Sequence, residues 1–155
     1  MNILTQSRLS LIARIQQITQ ANGYRTDIGF DVRTGWLNEL LQQDKLPAKF
    51  ALVQRAKNNP PERGPGSLKA QPGFFVIGLA SVDLIAYEDA IDDMEIDICQ
   101  ALMPPLGHFP AWFPKGVTGL TLGAPEQFPP GNGQRHAGVL VPVHFTTHIQ
   151  EHKRR

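Results

Sequence analysis

The sequence predicts an α+β fold: a mixed, mainly antiparallel β-sheet packed by two main α-helices, with two long Pro/Gly-rich loops. Three observations predict it. Over residues 87–103 the apolar positions Tyr87, Ile91, Met94, Ile98 and Leu102 step by four, three, four and four, the spacing of one helical face. Over residues 138–149, Val139, Val141, Val143, Phe145, Thr147 and Ile149 alternate with Leu140, Pro142, His144, Thr146 and His148, the period of a strand. Finally, the 14 glycines and 13 prolines gather in two stretches, so a folded core should carry two long loops.

The elements follow in order. Thr5 can cap a first helix reaching about Asn22, where Gly23 stops it. Leu4, Leu11, Ile15 and Ile18 form its inner face, and Gln6, Arg14, Gln17 and Gln20 its wet face. Ile28, Phe30 and Val32 alternate with Asp27, Gly29 and Asp31, which predicts a half-buried strand. Residues 36–41 make a short helix with Leu37, Leu40 and Leu41 inward, and Pro47 marks the next boundary. Phe50, Leu52 and Val53 begin a second strand.

Residues 57–73 hold four prolines and three glycines and read as a flexible loop, mobile or ordered by a partner. Residues 74–80 are almost wholly apolar, as a central strand covered on both faces should be. Asp83 is a plausible cap for the 87–103 helix, which Pro104 and Pro105 terminate. Residues 104–133 form a second loop-rich insertion, within which Val117, Leu120 and Leu122 suggest a short strand. Pro142 cannot donate to a ladder, so the last strand should lie at an edge or carry a bulge. Residues 150–155 form a basic, frayed tail.

The whole chain, 1–155, suits one domain. A net charge of +1 gives no global cause for nucleic-acid or membrane binding, and no window approaches the ~20 apolar residues of a membrane span. Cys99 stands alone, which excludes an internal disulfide and suggests a reducing compartment. The opening residues lack the basic segment and apolar run of a signal peptide, so the expectation is a soluble protein made in the cytoplasm.

Four candidate chemistries compete with plainer readings of the same residues. His144, His148 and His152 would suit a metal on a helix, but on a strand the first two stand ~13 Å apart, too far for one zinc ion. Exposed strand histidines are the plainer reading. The acids Glu88, Asp89, Asp92, Asp93, Glu95 and Asp97 fall outside the apolar stripe of their helix. They suit a solvated face, or a charged surface that meets a basic neighbour or lines a channel past which a polyanion slides. Cys99 reads as a structural thiol, and no Gly-x-Ser-x-Gly or phosphate-loop pattern occurs, so no catalytic, cofactor or metal residues are assigned. Arg25, Arg33, Lys153, Arg154 and Arg155 can reach phosphates, yet no recognition helix or aromatic platform accompanies them.

Over nearly its full length the chain resembles the tail terminator, or tail completion, proteins of long-tailed bacteriophages. The resemblance rests on the opening helix Arg8-Leu9-Ser10-Leu11-Ile12-Ala13-Arg14-Ile15 leading into Gly23-Tyr24-Arg25-Thr26-Asp27-Ile28-Gly29. A strand and polar loop follow, then the acidic helix Ala90-Ile91-Asp92-Asp93-Met94-Glu95-Ile96-Asp97-Ile98 and the closing strand Gly138-Val139-Leu140-Val141-Pro142-Val143-His144-Phe145. The Pro/Gly-rich stretch 104–133 departs from the compact pattern.

The resemblance implies a virion protein, assembled in the host cytoplasm, without catalytic residues or cofactors. It implies a homohexameric ring that caps the head-proximal end of the tail tube, ends tube polymerisation and offers a docking surface to the head–tail connector. DNA only transits the central channel, and no membrane is involved. On this reading Glu88, Asp89, Asp92, Asp93, Asp97, Arg25 and Arg33 are candidate subunit-interface or channel-facing residues. Pro60, Pro61, Glu62, Arg63 and Lys69 are the candidate partner-contact loop. A head–tail connector or neck protein shares this composition. A small metal-dependent enzyme using His136, His144 and Asp residues, and a monomeric binding module, are the readings from other classes.

Overall fold

A computed structural model describes residues 1–104 and 106–152. Its core is one sheet of six strands with helices against it, which is the α+β architecture expected. The strands are β1 (Val32–Thr34), β2 (Lys49–Gly64), β3 (Ser67–Ser81), β4 (Val117–Leu122), β5 (Glu126–Phe128) and β6 (His136–Gln150). They run in the order β1-β2-β3-β6-β4, with β5 beside β6 on the same margin as β4. Only β1 and β2 pair in parallel; the remaining ladders are antiparallel.

The helices are α1 (Ile3–Ile15), α2 (Leu37–Leu40) and α3 (Tyr87–Ala101). On one sheet face Leu11 and Ile15 of α1 and Ile91, Met94, Ile98 and Ala101 of α3 pack over Val53, Phe74, Val76, Val139, Val141 and Phe145. On the other face Leu40, Phe50, Leu52, Ile77 and Leu79 form a smaller core with Leu37, Leu46, Phe128 and Leu140 around them. Thus β3 is covered on both faces, as its continuous apolar run requires. Burying a side chain of this size contributes about 1.5–3 kcal/mol, so these two layers supply the main drive to fold.

Four boundaries differ from the sequence expectation. The cap of α1 is Asn2, whose side-chain oxygen accepts the Thr5 N–H at 2.8 Å; Thr5 lies within the helix. The helix ends at Ile15, where the following N–H groups turn to nearer carbonyls, Gln17 to Arg14 at 3.1 Å and Ile18 to Ile15 at 3.0 Å; further on, the Gln20 N–H donates to Asp27 Oδ1 at 2.8 Å and the Asn22 N–H to Thr19 Oγ1 at 3.3 Å. A 3-10 turn, Gln20–Asn22, follows, and Gly23 closes it at φ +91°. The strand expected at Ile28 and Phe30 is a second 3-10 turn. There the Gly29 N–H donates to the Ile18 carbonyl at 2.9 Å, and a Cβ on Gly29 would stand 2.6 Å from the Gln16 carbonyl oxygen. That tight seat buries Ile28 and turns Phe30 out to 78% exposure, breaking the alternation. Likewise Asp83 does not cap α3: Ala86, at φ +58°, holds that position, and Asp83 pairs with Arg135 at 3.0 Å.

The largest correction concerns residues 57–73. They are not a loop but the outer half of a hairpin, because β2 and β3 run unbroken to a Pro65-Gly66 turn with Gly66 at φ +66°. Proline sets the first turn dihedral and glycine supplies the second. The other prolines fit because the ladder shifts register between Ala56 and Asn59 and again between Asn59 and Glu62, bulges that absorb Asn58 and the Pro60-Pro61 pair. At the first bulge Asn58 Oδ1 accepts the Gly73 N–H at 2.9 Å. The outer half of β6 runs alongside, from Gly73↔His144 to Ser67↔Gln150, giving a three-stranded arm.

Pro142 lies in neither an edge strand nor a bulge, since β6 is flanked by β3 on one side and by β4 and β5 on the other. Its carbonyl accepts the Gly123 N–H at 2.9 Å. In an extended strand the N–H and C=O of one residue face the same way, so the donor Pro142 lacks would point at the gap between β4 and β5. The insertion at 104–133 contains β4, as expected, and the unexpected β5. It is anchored by Trp112 and Phe113, whose rings meet Phe145 edge-on at 6.0 Å each. In the basic tail, Lys153, Arg154 and Arg155 lie outside the described residues, as does Pro105.

Candidate interaction surface

The acids of α3 divide by helical phase. Glu88, Asp89 and Asp92 are exposed, and Asp93 and Glu95 are half-buried. No lysine or arginine interrupts them in α3. Arg25 reaches the Asp93 carboxylate at 4.0 Å with both side chains well exposed, a contact that adds little in water. Gln127, from β5, donates its amide to Asp92 at 2.8 Å and to Glu95 at 3.4 Å. Five carboxylates therefore share one cationic neighbour among the described residues.

Asp97 does not belong to this surface, and its place among the interface or channel candidates is corrected. It is fully buried, three residues after Met94 and four before Ala101, on the inner stripe of α3. Its two oxygens accept the Arg25 N–H at 3.0 Å, the Thr26 N–H at 2.8 Å and the Thr26 hydroxyl at 2.7 Å. Helical phase, not charge, decided its side of the helix.

Arg33 is likewise not brought to the acidic face. Its guanidinium holds Asp31 through Nε at 3.0 Å and Gln43 through Nη1 at 3.2 Å, and lies 5.3 Å from the Phe50 ring centroid. These contacts tie β1 to the segment after α2.

The proposed contact loop has become the arm. Pro60, Pro61, Glu62 and Arg63 lie exposed along β2, and Lys69 stands exposed on β3 opposite Glu62. Arg55 and Lys57 sit at its base, Arg55 over the Phe74 ring at 5.3 Å. Among the described residues, none of these four cations forms an ion pair. Among the described residues, β2 has no strand on its outer side beyond Val53, and Pro60 and Pro61 remove two donors from that margin.

The histidines sit in separate surroundings. His136 is buried, donates from Nε2 to the Pro47 carbonyl at 2.9 Å and meets Phe50 edge-on. His144 donates to the Lys57 carbonyl at 3.1 Å, and His148 is exposed on the arm opposite Lys69. Among the described residues no group of three or more His, Cys, Asp or Glu is placed to hold a metal ion. A cleft of about 620 Å³ lies between residues 41–46 and 133–136, where Asp83 and Arg135 pair with each other. Cys99 is half-buried, and desolvation, then the charge of Glu95, push its thiol above the usual value. No helix among the described residues is long and apolar enough to cross a membrane.

One feature escaped sequence reasoning. Between α3 and β5 runs a groove of about 410 Å³ with Tyr87, Ile91, Phe128 and Pro129 in its walls and Glu88 and Asp92 beside them. The phase of α3 indicated Tyr87 and Ile91, but β5 is three residues long and carried no periodic signal.

These features define the class of molecule only as an α+β domain with a charge-divided surface and a protruding β-arm. Compared with known proteins, the chain matches no family model, and no curated protein is significantly similar to it.

Proposed function

We propose that this chain is the subunit of a ring that caps the head-proximal end of a bacteriophage tail tube. The ring ends tube polymerisation and presents the surface on which the head–tail connector docks, and DNA passes through its centre. The observation that supports this reading is the arm. Strands of 15 and 16 residues carry the hairpin outward from the core of their own subunit, and residues 57–63 of β2 are all exposed. A stretch that buries so little at home gains its contacts from neighbours, and a head-to-tail contact of suitable rotation closes a ring. The outward acids of α3 fit a charged contact with a basic surface of a neighbouring subunit.

The test is to add purified protein to tail-tube subunits polymerising on their tape-measure initiator. The reading expects tubes of one length with the protein at one end. Tubes that keep growing, with the protein bound instead at the portal side of heads, would favour a neck connector.

A further inference from the structure

Resting on the ring reading above, we propose that the groove between α3 and β5 receives the β2–β3 arm of the neighbouring copy. Charge complementarity argues for this occupant. The groove carries Glu88 and Asp92, with Asp89 exposed on the same helix, whereas the arm carries Arg55, Lys57, Arg63 and Lys69 against Glu62 and, beside its tip, Glu151. The chain as a whole is at +1, so these are two opposite fields divided over one nearly neutral molecule. Among the described residues, the cations of the arm lack an ion pair at home.

An arm does not serve its own groove. α3 crosses the sheet where Met94 packs on Gly78, and Lys69 lies nine residues further along β3, ~30 Å away at ~3.3 Å per residue. The groove and the arm are different surfaces, so their pairing is head-to-tail and closes into a ring or continues as a filament. The apolar walls of the groove suit the ring faces of Pro60 and Pro61, and its carboxylates suit Arg63.

The experiment uses two variants of the full chain, Glu88→Lys with Asp92→Lys, and Arg63→Glu with Lys69→Glu. Sedimentation velocity follows their association, and circular dichroism verifies their fold. Each variant alone carries like charge on both surfaces and should self-associate at least roughly tenfold more weakly than the parent chain. Mixed, they present basic groove to acidic arm and acidic groove to basic arm, and association should return. Variants that assemble as the parent does, a folded mixture that stays dissociated, or a parent chain that remains monomeric at low salt would each overturn the proposal. Failure of the ring reading is separable: co-assembly on mixing without binding to tube ends keeps the contact and removes the cap. Tube capping by variants that assemble normally does the reverse.

Discussion

Asp97 accepts both the backbone N–H and the hydroxyl of Thr26, at 2.8 and 2.7 Å, from a position with no exposure to solvent. The bonds join residues 71 apart in sequence and lock the 25–26 turn onto α3. Replacing Asp97 by Ala leaves the Arg25 and Thr26 donors without a partner and should lower stability by about 3 kcal/mol. Asp97→Asn should cost about 2 kcal/mol, because one of its termini becomes an N–H₂ group facing an N–H. Urea unfolding measures both. A loss below half a kcal/mol in Asp97→Ala would show that the turn is held by other contacts.

Gly138 marks a close approach of backbones. A Cβ there would lie 2.4 Å from the Gly78 carbonyl oxygen and 2.7 Å from the Phe128 ring. Gly138→Ala should therefore part β3 from β6 or dislodge β5, costing about 1–3 kcal/mol. Calorimetry of the variant checks this. An unchanged melting temperature would mean that the strands stand further apart than described.

Pro142 gives a prediction of the opposite kind. Its missing donor faces the gap between β4 and β5, so Pro142→Ala should change stability by about 1 kcal/mol or less despite the interior position of β6. A loss of several kcal/mol in denaturant unfolding would place the proline in a stricter role.

Cys99 supplies a chemical check on the packing of α3. Burial and the Glu95 carboxylate raise its thiol above the usual value, so at pH 8 less thiolate is present than in a free thiol. Alkylation by iodoacetamide should run slower than for free cysteine, quicken as the pH is raised past 9, and quicken again in urea. Alkylation at pH 8 as fast as for the free thiol would mean that α3 frays near its end.

Much of the fold was legible in the sequence wherever one face is buried. The stripe from Tyr87 to Leu102 and the alternation from Val139 to Thr147 both read correctly, because burial on one side forces a period. The arm was not legible for the same reason: β2 is wet on both faces there, so Pro60 and Pro61 stood out while no alternation did. Phe30 misled in the reverse direction, as an apolar residue that faces solvent next to a glycine held by contact with Gln16 and Ile18, just past α1. At the candidate surface, Glu88, Asp89, Asp92 and Asp93 were legible as an acidic face, but the chemistry of Asp97 lay in its phase. The groove depends on Phe128 and Pro129, brought to α3 only by the pairing of β5 with β6.

We propose that this chain forms a ring on the end of a tail tube. The most direct test is electron microscopy of tubes assembled to full length with the purified protein, averaging the two ends separately. The account predicts a ring of six copies with an open centre on one end and bare tube at the other. Identical ends, or density along the tube wall, would contradict it.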